Sequence, residues 1–334
     1  MNGSSVLEEN PSKIRIQEKC MDFITIGEMV IDFLPGKETG SYIRNAGGAP
    51  ANVAIASARN GLSAGMYCKL GNDDFGQFLI KTLQENGVTP LAPELTDEAT
   101  TTMAFVSLNE QNDRSFTFAR KPGADMMLDK NEIKENDLIS CRIVQAGSCS
   151  LSAGKTVEAT EYAMAKAHEL GKLVGFDINY RNLMWNDNKE ACTKKVLSIL
   201  KYVDFLKLSD EEIDMVGGHG NVLNIMKEYD IAVVVLTMGS KGSELFYDGR
   251  SYVIPGFKAD KVADTTGAGD AFWGGFLSNV LNQGIASVEQ LNAELLKNAV
   301  VYGNVSGSLS VREKGAIASL PAREKIEKFL RENK

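Results

Sequence analysis

The decisive stretch of this 334-residue sequence is Asp264-Thr265-Thr266-Gly267-Ala268-Gly269-Asp270. It is followed by an apolar run that predicts a helix over residues 268–282. The start of a helix carries N–H groups without partners and a partial positive charge, which suits an anion such as a transferring phosphoryl group. A carboxylate beside that anion, Asp270, could accept the proton of an attacking hydroxyl. The stretch therefore predicts a site for phosphoryl transfer.

The same residues allow simpler interpretations, which the pattern alone leaves open. Gly267-Ala268-Gly269 is also typical of a tight turn, and Asp is favoured near the start of many helices. Ala271, Gly274, Gly275 and Ser278 recur at helical spacing, which equally indicates a helix packed closely against its neighbours.

Composition indicates a globular protein of one large or two modest domains. The hydrophobic fraction is 43%, and the net charge is −8 without a long basic run, which disfavours nucleic acid and anionic membranes as partners. The five cysteines include no CxxC pair, and free thiols in a reducing cytoplasm fit them best. The sequence has only two histidines, which argues against a Ser-His-Asp hydrolase or a His-rich zinc site.

Residues 1–20 are polar and lack the apolar core of a secretion signal, so we interpret them as an N-terminal tail, disordered or not native. From residue 21 onward, short apolar strands alternate with helices, which predicts a mostly parallel sheet covered by helices on both faces. Two β-rich segments, near residues 30–44 and 100–120, fit this layer poorly. We predict that they form a small projecting sheet, with a hairpin that turns at Asn109–Asp113.

Other nucleotide-binding motifs are not matched. Gly154-Lys155-Thr156 resembles the end of a P-loop, but Cys149 stands where that motif needs its first glycine. The first strand is followed by Gly27-Glu28-Met29-Val30, which lacks the glycine repeat of a dinucleotide-binding fold. A dehydrogenase is therefore disfavoured.

Three polar features remain as candidates, each with a structural alternative. Asp32 lies inside an apolar run, where it is either a satisfied structural carboxylate or a ligand for sugar hydroxyls. Asp177-Ile178-Asn179-Tyr180-Arg181 follows a strand at the edge where open α/β sheets bind ligands, although Asp177 could equally cap a helix. Thr237–Gly242 could admit a nucleotide or form a plain hairpin turn.

Two segments together resemble the signatures of the ribokinase-like (pfkB) carbohydrate kinases. The first is Asn45-Ala46-Gly47-Gly48-Ala49-Pro50-Ala51-Asn52-Val53-Ala54, and the second is Asp264–Asp270, in the order that the family shows. Within the family the chain looks most like a fructokinase. The strings that are similar are Gly27–Phe33, Arg114–Phe118, Gly123–Asp125 and Asp177–Arg181, several of which 2-keto-3-deoxygluconate kinases share.

The resemblance implies a three-layer α/β/α sandwich with a nine-stranded or similar, mostly parallel sheet and a small β-sheet lid. It implies one kinase domain over residues 21–334, with the lid near 30–44 and 100–120. The implied reaction moves the γ-phosphate of ATP, with Mg²⁺, to a primary hydroxyl of a monosaccharide, fructose giving fructose 6-phosphate. A 2-keto-3-deoxygluconate kinase, a ribokinase and an inactive sugar- or nucleotide-binding homologue are the alternatives.

By position, the resemblance assigns Asp270 as the catalytic base and Gly267, Ala268 and Gly269 as the anion hole. Sugar contacts would come from Asp32, Gly47, Gly48, Asn52, Phe116, Phe118 and Arg181. The nucleotide site would be lined by Ser209, Thr237, Gly239, Gly242 and Asn304, and Glu212 would act on Mg²⁺ through water. A monovalent cation such as K⁺ would bind near Asp264, Thr266, Ser310, Gly315 and Ser319. The family usually has Asn where this chain has Ser209, and its lids often pair two subunits as a homodimer.

Overall fold

The computed structural model describes residues 21–38, 40–108 and 114–333. The tail expected over residues 1–20 and the turn expected at Asn109–Asp113 lie outside these ranges. In chain order the strands are β1 (Phe23–Ile26), β2 (Val30–Pro35), β3 (Tyr42–Gly47), β4 (Ala64–Tyr67), β5 (Val88–Pro90), β6 (Met103–Leu108), β7 (Arg114–Ala119), β8 (Ile143–Gly147), β9 (Leu173–Asp177), β10 (Phe205–Ser209), β11 (Val233–Thr237), β12 (Gly242–Tyr247) and β13 (Arg250–Pro255). The α-helices are α1 (Ala49–Arg59), α2 (Asp74–Glu85), α3 (Glu135–Ser140), α4 (Thr156–Glu169), α5 (Lys189–Ile199), α6 (Val222–Tyr229), α7 (Ala268–Asn282), α8 (Ala293–Ser310), α9 (Ala316–Ser319) and α10 (Arg323–Glu332).

A nine-stranded main sheet has the order β13-β12-β11-β10-β9-β8-β1-β4-β5. All neighbours from β11 to β5 in this order are parallel, and β12 and β13 add an antiparallel edge. Parallel strands are covered on both faces and so read as continuous apolar runs, as in the fully buried β1 and β8. The mostly parallel sheet predicted from the alternating pattern is confirmed.

Helices cover both faces of the main sheet, which makes the three layers. Side chains along β11 alternate between two hydrophobic clusters. Val233 and Val235 join a cluster with residues of α1, α7 and α8, whereas Val234 and Leu236 join one with residues of α4, α5 and α6. This alternation is the period of two expected for a strand. Among the described residues, no helix is both long and apolar enough to cross a membrane.

A four-stranded small sheet has the order β3-β2-β6-β7. Its two hairpins, β2–β3 and β6–β7, are antiparallel, and β2 pairs with β6 in parallel. The small separate β-sheet predicted from the two β-rich segments is therefore present. Strand β3 continues to Gly47, three residues beyond the predicted limit at residue 44.

Helix α7 packs closely against α1 on one side and α8 on the other. A Cβ on Gly274 would lie 2.5 Å from Ala56 Cβ on α1, and one on Gly275 would lie 2.9 Å from Ser306 Cβ on α8. The small residues of α7 therefore do allow close helix packing, as their spacing suggested. This packing also fixes the position of the N-terminus of α7.

Candidate active site

The N-terminus of α7 provides a set of N–H donors at the predicted position. The helix begins at Ala268, directly after Gly267, whose φ of 79° lies in the left-handed region that favours glycine. A Cβ on Gly267 would also lie 2.9 Å from Ala316 Cβ, so space as well as conformation requires glycine there. An α-helix leaves the N–H groups of its first turn without partners inside the helix, which suits an anion, but Ala268 N here donates to Thr265 O over 3.2 Å.

Asp270 and Asn52 join the two signature segments. Asp270 lies in the first turn of α7 and is 7% exposed, and Asn52 lies in α1 and is 4% exposed. Asn52 Nδ2 donates a hydrogen bond to Asp270 Oδ2 over 2.7 Å. Asn52 Oδ1 has no hydrogen-bond partner in the described part of the chain. Asn52 therefore orients Asp270, while its own amide oxygen is buried and unpaired in the described part of the chain.

The first cleft lies beside Asp270 and has a volume of about 650 Å³. Its lining combines residues of the small sheet with residues from the loops that follow β1, β8 and β9. The predicted sugar-site residues that line it are Asp32, Gly48, Asn52, Phe118 and Arg181. Burial raises the pKa of Asp32 to about 6.

Two predicted sugar-site residues are placed differently from the others. Gly47 is not among the residues that line the first cleft, but a Cβ there would lie 2.0 Å from Asp32 Oδ2, so Gly47 leaves room for that carboxylate. Phe116 lies in β7 opposite Val106, and its side chain is outside the described residues. Both assignments therefore stay predictions.

The second cleft lies on the other side of the α7 N-terminus and has a volume of about 760 Å³. Thr237, Gly239, Gly242 and Asn304 line it, as do the apolar side chains of Phe257 and Val262. Asn304 Oδ1 accepts from Ser243 Oγ over 2.8 Å, which fixes the amide in the wall of the cleft. Thr265 and Gly269 line both clefts, so the two cavities meet at the start of α7.

Ser209 and Glu212 are hydrogen-bonded to each other, and neither of them lines the second cleft. Ser209 N donates to Glu212 Oε2 over 2.8 Å, and Tyr180 N donates to Glu212 Oε1 over 2.6 Å. The buried Glu212 therefore links the segment after β9 to the segment after β10. A metal-bound water would have to share carboxylate oxygens that already accept from the backbone.

A buried ion pair lies beneath the start of α7. Lys207 Nζ is 2.9 Å and 2.8 Å from the two carboxylate oxygens of Asp177. Burial opposes the charge on Lys207, but Asp177 and Glu212 raise the pKa of the ammonium. A Cβ on Gly269 would lie 3.5 Å from Lys207 Nζ, so this positive charge sits next to the predicted anion hole.

The five residues expected near a monovalent cation belong to two segments that contact each other. Asp264 accepts hydrogen bonds from Thr266 N and Thr266 Oγ1 through one oxygen and from Gly315 N through the other. Ser310 Oγ donates to Gly307 O, and Ser319 Oγ donates to Ala316 O. Across the ranges that the structure covers, no group of three or more His, Cys, Asp or Glu side chains could hold a metal ion.

Sequence reasoning missed two buried charged residues of the first cleft, along with the exposed Glu211. Glu28 follows β1, is 5% exposed, and lines the cleft. Lys207 also lines it and lies inside the apolar strand β10. Each carried a usable signal: Glu28 stands at the carboxyl end of a parallel strand, where ligands bind, and Lys207 is a charge within a buried run.

Comparison with known proteins places these features in a family. A family model described as pfkB family carbohydrate kinase matches residues 18–323. The chain is 37% identical over 309 residues to "Fructokinase-2" of Zea mays, covering 89% of this chain and 90% of the maize protein.

Solved structures show the same similarity. A fructokinase from Xylella fastidiosa, described with bound ATP, has a TM-score of 0.85 at 28% identity and covers 94% of this chain and 99% of its own. A fructokinase from Vibrio cholerae, described with fructose, ADP and calcium ion bound, has a TM-score of 0.80 at 31% identity and covers 93% of this chain and 99% of its own. This chain therefore shares its fold with these fructokinases.

Proposed function

Because the chain belongs to the pfkB family of carbohydrate kinases, we propose that it transfers the γ-phosphoryl group of ATP to fructose. The product would be fructose 6-phosphate. Support for ATP and fructose comes from relatives whose descriptions name them, including a fructokinase at 31% identity described with fructose and ADP. In this proposal the first cleft takes the sugar and the second takes the nucleotide.

One observation carries the proposal: the two clefts meet at Thr265 and Gly269, beside Asp270. A primary hydroxyl in the first cleft and a terminal phosphate in the second would approach each other at the helix N-terminus. Holding two reactants in this way accounts for much of enzymatic catalysis, with effective molarities of about 10⁵–10⁸ M for well-oriented groups.

Asp270 would act as the general base. Its Oδ2 accepts from Asn52, which holds the carboxylate in place and leaves Oδ1 for the substrate. The hydroxyl proton moves to Asp270 as the sugar oxygen bonds to the γ-phosphorus, and the bond to the β–γ bridging oxygen breaks to release ADP. A positioned general base typically contributes about 10²–10⁴-fold.

The first turn of α7 would stabilise charge on the transferring group. Its N–H groups and the partial positive charge of the helix favour the phosphoryl oxygens, and glycines at positions 267 and 269 let those oxygens approach the backbone. The ammonium of Lys207, next to Gly269, adds a positive charge on the same side.

We expect Mg²⁺ to be hydrated and held mainly by nucleotide phosphates, because both Glu212 oxygens already accept from the backbone. Mg²⁺ keeps several waters and needs one or two carboxylates rather than a full protein cage, and Glu212 is the carboxylate that we expect to act through water. Bound Mg²⁺ would neutralise charge on the β- and γ-phosphates. We also propose K⁺ at the Asp264 segment, whose backbone carbonyls and hydroxyls are hard oxygen donors.

The small sheet would serve as the lid of the first cleft and as a contact between subunits. Asp32 and Phe118 bring it to the cleft, and its closure would exclude water from the phosphoryl group. Tyr42 and Ile43, on its edge strand β3, are 46% and 55% exposed. A homodimer paired through this sheet would cover them, and light scattering on the purified protein tests that pairing.

A panel of sugars with an ADP-release assay tests the proposed function. Fructose should give the highest kcat/KM, with 2-keto-3-deoxygluconate and ribose well below it. Preference for either alternative would reassign the sugar but leave the reaction in place. Binding of sugar and ATP without any ADP release would favour an inactive homologue and overturn the kinase assignment.

A further inference from the structure

Glu28 has a buried carboxyl oxygen for which the protein supplies no partner. It stands directly after β1, where Gly27 has a φ of 147° and packs against Pro50. Its side chain lines the first cleft, and its Oε2 has no hydrogen-bond partner among the described residues. Burying such an oxygen without a hydrogen bond is unfavourable for folding.

The charged neighbours of Glu28 are engaged elsewhere. Arg120 Nε donates to Asp125 Oδ2 over 2.8 Å, and Arg181 Nη1 donates to Tyr180 O over 3.1 Å. Burial raises the pKa of Glu28 to about 7, with a smaller contribution from the nearby Asp125 carboxylate. A hydrogen bond from the backbone N–H of Glu28 opposes that shift most, followed by the charges of Arg120 and Arg181. Cys149 also lines the first cleft. Glu28 therefore keeps one unpaired, buried carboxyl oxygen in the wall of the first cleft.

We propose that Glu28 is a specificity-determining residue that binds a ring hydroxyl of the sugar, other than the primary hydroxyl that Asp270 deprotonates. A sugar hydroxyl can donate to the ionised carboxylate of Glu28 and so form a charge-assisted hydrogen bond, which a neutral glutamine amide would not provide. The inference rests on the proposed function, because it assumes that the first cleft holds a sugar.

The test compares Glu28→Gln with wild type on the sugar of the panel that wild type phosphorylates best. Gln keeps the volume of the side chain but removes the carboxylate. We expect the KM and the Kd for the sugar to rise about 10- to 100-fold, which corresponds to the loss of one hydrogen bond to a charged group. The kcat and the KM for ATP should stay close to wild type.

Asp204→Asn is the matched control. Asp204 is a carboxyl group whose pKa burial raises to about 6, but it accepts from Val174 N and lies outside both clefts. This variant should leave the KM for the sugar unchanged. A rise as large as that of Glu28→Gln would mean that any loss of a buried carboxylate perturbs the site, and it would overturn the specific role.

Deoxysugars separate direct contact from a structural effect. With wild type, removing the hydroxyl that Glu28 binds should raise the Kd, measured by calorimetry, by the same 10- to 100-fold factor. With Glu28→Gln, removing the same hydroxyl should raise the Kd little further. Equal losses in both proteins, or an unchanged KM in Glu28→Gln, would overturn the proposal. If Glu28→Gln does not fold, Glu28→Asp is measured against the same two outcomes. If wild type turns over no sugar, the proposed function itself fails, which is a different result.

Discussion

Asn52 Nδ2 donates a hydrogen bond of 2.7 Å to Asp270 Oδ2, and the two residues are 218 positions apart in the chain. Asn52 thus orients the carboxylate, and its own Oδ1 is left without a partner among the described residues. The close approach of two signature segments depends on the packing of α1 against α7.

Replacing Asn52 with Asp should shift the pH dependence of turnover. Two carboxylates within hydrogen-bond distance cannot both ionise readily, so one pKa of the pair rises. We expect the acid limb of the kcat profile to move upward by at least about 1 pH unit. Asn52→Ala is the control, because it removes the hydrogen bond without adding charge. A profile of Asn52→Asp that coincides with that of Asn52→Ala would contradict the direct contact.

Asp270→Asn should abolish most turnover while preserving the fold. The amide oxygen can still accept from Asn52, so the local geometry is kept, but the amide cannot take the hydroxyl proton. We expect kcat to fall by about 10²–10⁴-fold with little change in the Kd for ATP. Steady-state kinetics and calorimetry measure the two quantities. Turnover close to wild type would exclude Asp270 as the base.

Lys207→Met should destabilise the protein by about 3–5 kcal/mol, because it leaves Asp177 buried without its partner. The double variant Lys207→Met with Asp177→Asn removes both charges and should recover much of the free energy of unfolding. If the ammonium also stabilises the phosphoryl group, kcat stays low in the double variant. Denaturant unfolding and kcat are measured together, and recovery of both would leave Lys207 a structural role only.

Stability should depend on pH through Glu28. Its pKa is raised from 4.5 to about 7, so between these values the folded protein binds more protons than the unfolded chain. Its contribution to stability therefore falls as pH rises from 4.5 to 7, by at most about 3 kcal/mol. Glu28→Gln removes this dependence. The amount by which its free energy of unfolding exceeds that of wild type should therefore be larger at pH 8 than at pH 5. If the difference in free energy of unfolding between the two proteins is the same at pH 5 and at pH 8, the raised pKa is contradicted.

Much of the fold could be predicted because apolar runs and helix signals are local. Val233-Val234-Val235-Leu236 reads as a buried strand, and the apolar run after Gly269 reads as a helix whose bounds the structure reproduces. The three-residue strand β5 was not predicted, since Val88–Pro90 is too short to show a period. Its pairing with β4 depends on a neighbour rather than on its own residues.

The pairings within the site were beyond the reach of sequence patterns. Asp177 and Lys207 end up side by side because β9 and β10 are adjacent, and register is a property of the sheet. Glu212 lies within the expected Ser209–Glu212 string, yet its carboxylate accepts from Tyr180 N, in a different loop. Local patterns gave the residue types, whereas the sheet order determined which of them meet.

The meeting of the two clefts at Thr265 and Gly269 has an evolutionary consequence. A change at either residue would alter both substrates at once, so selection would tolerate few substitutions there. Glu28 and Asp32 line only the first cleft. Asp32 lies in β2 of the small sheet, and Glu28 lies in the segment that joins β1 to β2. Descendants of one ancestor could therefore diverge in the sugar they accept while inheriting the phosphoryl-transfer apparatus intact.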